Sequence, residues 1–271
     1  MSLKGIFLCL VLLPTLVVAQ SEVTQRVTAA EAGYRGSVRH VQCQQRSDTP
    51  AVRYFLVQEE SFNAEGMRTG IVTIDTMGRF YTDCHYAPDG RLLYALCGFP
   101  MGYDSLAFRF GADGCPVAYR QVRFTTEGVD DNEGNIFSLE CDSLCRLRLF
   151  VPPWGDSSVY RYDASGRLVY RALPGSVDTY QYDAQGRLVR QRTGTGYYVD
   201  QHFRYDERGD LVETWHTEWE PGSSELPSEL PHRCYTYTQY DSHGNWTHAS
   251  IDVMENGRHY TVSASRLISY Y

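Results

Sequence analysis

The sequence has very little lysine and methionine. Lys4 is the only lysine, and five methionines stand against 21 tyrosines. The 271 residues carry a formal charge of −8, so the chain lacks the basic excess that non-specific nucleic-acid binding needs. After residue 20, no apolar run is long enough to cross a bilayer as a helix. Because tyrosine, valine, threonine and phenylalanine favour strands, the composition indicates an all-β protein with no membrane span in the mature chain.

Residues 1–19 have the pattern of a secretory signal peptide. Lys4 precedes an apolar run at 6–13, which Pro14 interrupts, and Ala19 supplies a small residue before a cleavage site at Gln20. We therefore expect an exported protein that is periplasmic, cell-surface or extracellular. The remaining chain has 24 arginines against 33 acidic residues.

One short motif recurs along the chain. Its clearest copies are Tyr162-Asp-Ala-Ser-Gly166-Arg-Leu168 and Tyr182-Asp-Ala-Gln-Gly186-Arg-Leu188. The aspartates and glycines of the four best copies are Asp163, Gly166, Asp183, Gly186, Asp206, Gly209, Asp241 and Gly244. Weaker copies place a glycine, or once a cysteine, at Gly78, Gly90, Gly114, Gly134 and Cys145.

The motif predicts the tip of a β-hairpin. An aspartate at a strand end accepts hydrogen bonds from backbone N–H groups further along the turn. A glycine then takes the positive φ that ends a bulged hairpin turn. The flanking segments alternate aromatic and polar residues, as antiparallel strands do when one face is buried. We predict an antiparallel meander of repeated β-hairpins that forms a twisted or partly rolled sheet.

The motif copies divide the chain into segments. Val151-Pro-Pro-Trp-Gly155 separates degenerate from regular copies, and the Pro-, Ser- and Glu-rich stretch 220–231 predicts a surface loop. The predicted segments are a signal peptide at 1–19, an N-terminal segment with a short helix and a strand at 20–60, degenerate repeats at 61–151 and regular repeats at 152–271.

Seven cysteines remain once Cys9 is removed with the signal peptide. An oxidising destination favours disulfides, and an odd number leaves at least one thiol unpaired or in an intermolecular bond. The candidates for disulfide bonding are Cys84, Cys97, Cys115, Cys141 and Cys145. A Cys141–Cys145 bond across one turn would offset a strained non-glycine residue at 145; the alternative is a turn of another type.

The Tyr-Asp-x-x-Gly-Arg-Leu units resemble the YD repeats of bacterial RHS proteins and their teneurin-type relatives. The resemblance covers about residues 60–250 and implies a spiralling β-sheet, which in that family sometimes encloses a toxic C-terminal domain. The short chain and the missing self-cleavage motif make a full toxin shell an unsuitable description. The resemblance instead implies a small, free-standing exported repeat protein.

Motifs for catalysis and for metal binding are missing from the sequence. We find no nucleophile elbow, no phosphate-binding loop and no ligand pair with the spacing of a local zinc site, so we expect no catalytic residues, no metal and no cofactor. Aromatic side chains offer a candidate binding surface for a glycan or an envelope protein: Trp215, Trp219, Trp246, Tyr197 and Tyr198.

The sequence therefore favours a non-catalytic secreted or surface β-repeat protein that acts as a structural or binding module. Two alternatives stay open. One is a glycan-active hydrolase with a site near residues 213–248, where Glu213, Glu218 and Glu220 lie near Trp215 and Trp219. The other is a carrier or immunity-type relative of RHS toxin shells. The sequence identifies neither the ligand nor the oligomeric state.

Overall fold

A computed structural model of the chain describes residues 28–48, 54–219, 229–255 and 257–271. Within them the chain forms 18 antiparallel strands in sequence order. The strands are β1 (Val38–Ser47), β2 (Phe55–Phe62), β3 (Arg68–Asp75), β4 (Gly78–Tyr86), β5 (Leu92–Phe99), β6 (Gly102–Phe110), β7 (Pro116–Thr125), β8 (Gly128–Cys141), β9 (Leu147–Val151), β10 (Ser158–Tyr162), β11 (Leu168–Leu173), β12 (Ser176–Tyr182), β13 (Leu188–Thr195), β14 (Tyr197–Tyr205), β15 (Leu211–Trp219), β16 (Glu229–Tyr240), β17 (Trp246–Glu255) and β18 (Arg258–Tyr270).

The sheet closes on itself. Each strand pairs with its neighbours in the chain, and β1 pairs with both β2 and β18. The β1–β18 register runs from Val38 opposite Tyr270 to Ser47 opposite Val262. The all-β antiparallel meander is confirmed, whereas the prediction of a twisted or partly rolled sheet is wrong. Closure removes the two free edges that an open sheet would expose.

Alternation along the strands explains how the sheet buries one face. On β17, Ala249, Ile251 and Val253 are buried, whereas Asp252, between the last two, and Met254, directly after them, are exposed. The register places the three buried residues opposite the buried side chains of β18. Successive strand residues point to opposite faces, so a period-two sequence yields one core face and one outer face.

The largest buried cluster lies on β5–β10. Its members are Ala95, Leu106, Tyr119, Phe137, Leu139, Leu147 and Tyr160. Aromatic rings dominate it: Tyr119 stacks on Phe137 with ring centroids 4.6 Å apart, and Phe150 lies 5.5 Å from Phe137. The cluster joins the degenerate and regular repeats, which meet where β9 and β10 share only two register pairs.

The N-terminal segment begins with a bridge and a turn. Thr28 bridges Met67, and residues 29–33 form a turn, so the described part of the predicted short helix is not helical. The rest of that helix, residues 1–19 and most of the loop at 220–231 lie outside the described residues. In the part of the chain that the structure describes, no helix is long and apolar enough to cross a membrane.

Candidate functional site

Eight turns with one backbone pattern share one edge of the closed sheet, called here the turn rim. In each turn, the backbone N–H of the first residue donates to the carbonyl of the fifth, and the backbone N–H of the fourth donates to the carbonyl of the first. The eight turns are 63–67, 87–91, 111–115, 142–146, 163–167, 183–187, 206–210 and 241–245. Because the strands are antiparallel and consecutive, every second connection lies at the same edge. The other connections form the opposite rim.

Two sequence copies of the motif do not belong to this set. Gly78 follows a tight two-residue turn between β3 and β4, which lies on the opposite rim. Gly134 lies within β8, where a register shift against the shorter β7 absorbs extra residues. The predicted hairpin tip at 134 is therefore wrong. The turn at 63–67 was missed because Asn63 and Met67 replace the aspartate and arginine of the motif.

The turn at 163–167 shows how one repeat is held together. The Asp163 carboxylate accepts hydrogen bonds from the backbone N–H of Ser165 and of Arg167, both at 2.9 Å. The Arg167 side chain returns to the same carboxylate at 2.7 Å. Gly166 has φ +84°, a conformation that a side chain would strain. Asp183 and Arg187 repeat these contacts at the next turn.

Each regular repeat is also joined to the one before it. The Arg167 guanidinium lies over the Tyr182 ring, 4.9 Å from its centroid, and the Tyr182 hydroxyl donates to the Leu168 carbonyl at 2.8 Å. The same arrangement recurs one repeat later. The Arg187 guanidinium lies over the Tyr205 ring, and the Tyr205 hydroxyl donates to the Leu188 carbonyl. The Asp, Arg and Tyr side chains of the motif thus form a ladder along the turn rim.

The N-terminal segment completes the ladder where the motif changes. At the 206–210 turn, Asp210 stands where the turns at 163–167 and 183–187 have arginine, and Arg35 lies against its carboxylate at 3.4 Å. Asn245 is buried, accepts from the Arg35 N–H, and donates to the Arg35 carbonyl and the Tyr270 hydroxyl, each at 2.8 Å. Tyr270 donates to Asp241. These contacts fasten the sheet where its first and last strands meet.

One disulfide links two neighbouring turns of the turn rim. Cys145 pairs with Cys115, and their Cα atoms are 5.0 Å apart. The proposed Cys141–Cys145 bond is wrong, because Cys141 is a free thiol that donates to the Pro116 carbonyl. Cys145 has φ +58°, the single non-glycine residue with positive φ among the described residues. Cys84 and Cys97 are free thiols, and burial raises their pKa values, to about 11 and about 12.

The structure does not bring the five candidate aromatic residues together. Trp215 stacks on His202, with ring centroids 4.9 Å apart and planes at 7°. Trp246 lies at the turn rim on the core face, packed against Tyr237 and under the Arg266 guanidinium.

The three other candidates belong to the opposite rim. Tyr197, which is exposed, and Tyr198 begin β14 there, and Tyr198 is opposite Trp219 in register. The structure does not describe the Trp219 side chain. A single binding surface that contains all five residues is therefore not formed.

A three-residue cluster that the sequence reasoning missed lies on the outer face of β15 and β16. Glu213 and Cys234 are opposite each other in register, and His232 is two residues before Cys234 on the same face. The His232 Nε2 atom is 2.7 Å from Glu213 Oε1 and 3.6 Å from Cys234 Sγ. A His-x-Cys pair in a strand was the available signal, but Glu213 reaches it only through strand pairing.

The electrostatics of this cluster follow from its neighbours. Arg204 donates to Glu213 Oε2 at 2.5 Å, and this bond together with that from His232 lowers the pKa of Glu213. Burial, with Glu213 and Asp252 close by, raises the pKa of the Cys234 thiol. A raised pKa favours the protonated form of the thiol.

Comparison with known families identifies the repeated unit. Residues 162–199 match the RHS repeat family model. The chain carries an RHS repeat. The matched segment begins at Tyr162 and includes the turns at 163–167 and 183–187, together with the contact of Arg167 with Tyr182. A search of curated protein sequences finds no match.

Solved structures give low similarity scores. A porin-like protein from Bacteroides uniformis is 13% identical with a TM-score of 0.45, over 87% of this chain and 99% of the other. A TcdB2–TccC3–TEV structure is 11% identical with a TM-score of 0.37, over 81% of this chain and 16% of the other. The Photorhabdus luminescens Tc holotoxin pore scores 0.26 at 13% identity, over 76% and 15%. TM-scores below 0.5 do not establish a common overall fold.

Acid is expected to weaken the RHS-repeat turns. Hydrogen bonds from the Arg167 backbone and side chain lower the pKa of Asp163 below its ordinary value of 3.8. A carboxyl group with a depressed pKa in the folded state stabilises fully above its unfolded pKa and loses that contribution as pH falls through the folded value. We expect the urea midpoint to stay level from pH 7 to about 5 and to fall below about pH 4.

The measurement is urea unfolding followed by tryptophan fluorescence from pH 7 to pH 2. Asp163→Asn should lower the midpoint at pH 7 and flatten its decline in acid, because the charge that titrates is gone. Asp156→Asn, in an exposed connection of the opposite rim, is the control and should follow the wild-type profile. Equal pH profiles for Asp163→Asn and the wild type would contradict the prediction.

Proposed function

We propose that this chain is a structural RHS-repeat scaffold that acts through contact with another macromolecule and not through catalysis. The observation that carries the proposal is the ladder on the turn rim. The Asp, Arg and Tyr side chains of the repeats, which could otherwise serve acid–base chemistry or ligand binding, contact one another from repeat to repeat. Together with closure of the sheet, this arrangement stabilises a rigid frame.

The opposite rim supplies the variable part of that frame. Its connections range from the single residue Gly196 between β13 and β14 to the nine residues 220–228 between β15 and β16. A constant frame with variable connections at one edge is a common way to present binding residues. We therefore assign partner contact to the opposite rim, with an envelope protein as the partner.

The predicted export of the chain supports the same proposal. The predicted signal peptide at 1–19 would direct the chain to the periplasm, the cell surface or the medium. The Cys115–Cys145 bond fits such an oxidising compartment. A glycan is the weaker choice of partner, because one face of Trp215 is covered by His202 and Trp246 is packed on the core face.

The test compares the full chain with a variant in which residues 221–228 are replaced by four Gly/Ser residues. Both are cross-linked to envelope proteins of the producing organism and applied to a glycan array. We expect the wild type to capture a specific envelope protein, the loop variant to lose it with an unchanged unfolding midpoint, and the array to stay blank. Unchanged capture by the loop variant would contradict the assignment of the opposite rim.

Catalysis is tested separately with chromogenic glycoside, ester and peptide substrates. We expect no turnover by the full chain. The alternative of a hydrolase near residues 213–248 would be correct if the wild type turned over a substrate and folded His216→Ala or Glu218→Gln variants did not.

A further inference from the structure

The outer face of β15 and β16 carries three different metal-binding groups at one point. Glu213 Oε1, His232 Nε2 and Cys234 Sγ all lie within 4.8 Å of one another. Antiparallel pairing places them there: Glu213 is opposite Cys234, and Trp215 is opposite His232. Cys234 is in turn opposite the exposed Asp252 of β17, so the cluster faces away from the buried residues Ile251 and Val253.

The distances suit a tetrahedral ion. Zinc binds sulfur at about 2.3 Å and imidazole nitrogen at about 2.0 Å, so the two ligand atoms are about 3.6 Å apart across a tetrahedral angle. His232 Nε2 and Cys234 Sγ are 3.6 Å apart. Glu213 Oε1 is 2.7 Å from the same nitrogen and would need to withdraw by roughly 0.6 Å to share an ion with it. A small side-chain rotation provides that movement.

The contacts of His232 argue against a nucleophile relay. In a catalytic triad, the two imidazole nitrogens serve different partners, one the nucleophile and one the orienting acid. Here both Glu213 and Cys234 approach the same atom, Nε2. Three donors that converge on one point are the arrangement of a metal centre.

The chemical types of the three ligand atoms, a sulfur, a nitrogen and an oxygen, indicate which ion the cluster would bind. Thiolate and imidazole are ligands of zinc and its neighbours in the first transition row, whereas magnesium and calcium prefer oxygen alone. Arg204 donates to Glu213 Oε2, which leaves Oε1 as a single oxygen ligand. Such a charged outer partner orients a ligating carboxylate.

We propose that Glu213, His232 and Cys234 form a Zn²⁺ site with a fourth position open to water. The ion joins β15 to β16 across the register pair of Glu213 and Cys234. The thiol proton of Cys234 passes to solvent when the ion binds, and the thiolate and the Glu213 carboxylate balance the two positive charges. The inference does not depend on the scaffold role proposed above.

The test uses the full chain with its disulfide intact and Co²⁺ as a spectroscopic substitute for Zn²⁺. We expect one equivalent of Co²⁺ to give a thiolate-to-metal charge-transfer band, which Zn²⁺ then displaces. Cys234→Ser should abolish the band. His232→Gln and Glu213→Gln should weaken Zn²⁺ binding, measured against a competing chelator, by more than the roughly 10–100-fold that loss of an outer-shell partner costs.

Matched controls separate this site from the other free thiols and histidines. Cys141→Ser and His259→Gln, at a free thiol and an exposed histidine elsewhere, should leave stoichiometry and affinity unchanged. Because all three ligands are only half-buried, the variants should keep wild-type circular dichroism. Zn²⁺ should also protect Cys234 from alkylation, mapped by mass spectrometry. A band that persists in Cys234→Ser, or alkylation of Cys234 unaffected by Zn²⁺, would overturn the proposal.

Discussion

Replacing Phe137 with alanine is expected to lower the free energy of unfolding by about 3–5 kcal/mol. Phe137 has 0% exposure and lies at the centre of the β5–β10 cluster. Its ring stacks on Tyr119 and Phe150, and Trp154 meets it edge-on with centroids 5.5 Å apart. Truncation would remove these contacts and leave a cavity among rings that cannot all close in on it.

The measurement is the urea midpoint at constant slope, with two comparison variants. Phe137→Leu keeps much of the side-chain volume and should lower the free energy of unfolding by less than the alanine variant does. Ile136→Ala changes the adjacent residue, which is 51% exposed on the outer face, and should shift stability by no more than about 0.5 kcal/mol. A Phe137→Ala loss no larger than that of Ile136→Ala would mean that the cluster is not the main core.

Loss of the Cys115–Cys145 disulfide is the second large effect. The bond joins residues 30 apart in sequence, and closing a loop of that length stabilises by about 3–4 kcal/mol. Cys145→Ala should lose this contribution. Cys145→Gly loses it as well, but it should recover about 1 kcal/mol because residue 145 has φ +58°.

The experiment compares urea unfolding of the two variants with that of the wild type, oxidised and reduced. Cys141→Ser is the control and should unfold like the wild type. Peptide mapping without reduction identifies the linked pair independently. If Cys141→Ser destabilised as strongly as Cys145→Ala, the pairing of Cys145 with Cys115 would be wrong. Identical midpoints for the alanine and glycine variants would remove the argument from backbone strain.

The repeated turns could be predicted because their signal is local. An aspartate and a glycine three residues apart determine both the hydrogen-bond acceptor and the positive φ, as at Asp163 and Gly166. The copy at Gly134 shows the limit of that signal. The hairpin between β7 and β8 turns earlier, at residues 126–127, and the later glycine is absorbed in a strand. The pairing of neighbouring strands, and not the local turn motif, thus determines where this hairpin turns.

Closure of the sheet could not be predicted from the repeated turn motif, because it depends on contacts between residues far apart in the chain. Arg35 and Asn245 are 210 positions apart, and no sequence motif indicates that the two residues contact each other. The Cys115–Cys145 bond and the Glu213–His232–Cys234 cluster have the same origin. Each depends on the register between paired strands, which only the folded sheet defines. The sequence therefore predicted the repeated hairpins but not the contacts between residues that are distant in the chain.

The meander also limits how this molecule can change in size. One repeat adds an outgoing strand and a returning strand, and an antiparallel ring closes only with an even number. Duplicating one repeat, about 20 residues, would enlarge the ring from 18 to 20 strands and lengthen its circumference by about 10 Å. Growth by gene duplication would thus proceed in equal steps, in which each new unit makes the same ladder contacts. The β1–β18 pairing and the contacts of Arg35 with Asn245 would still close the ring.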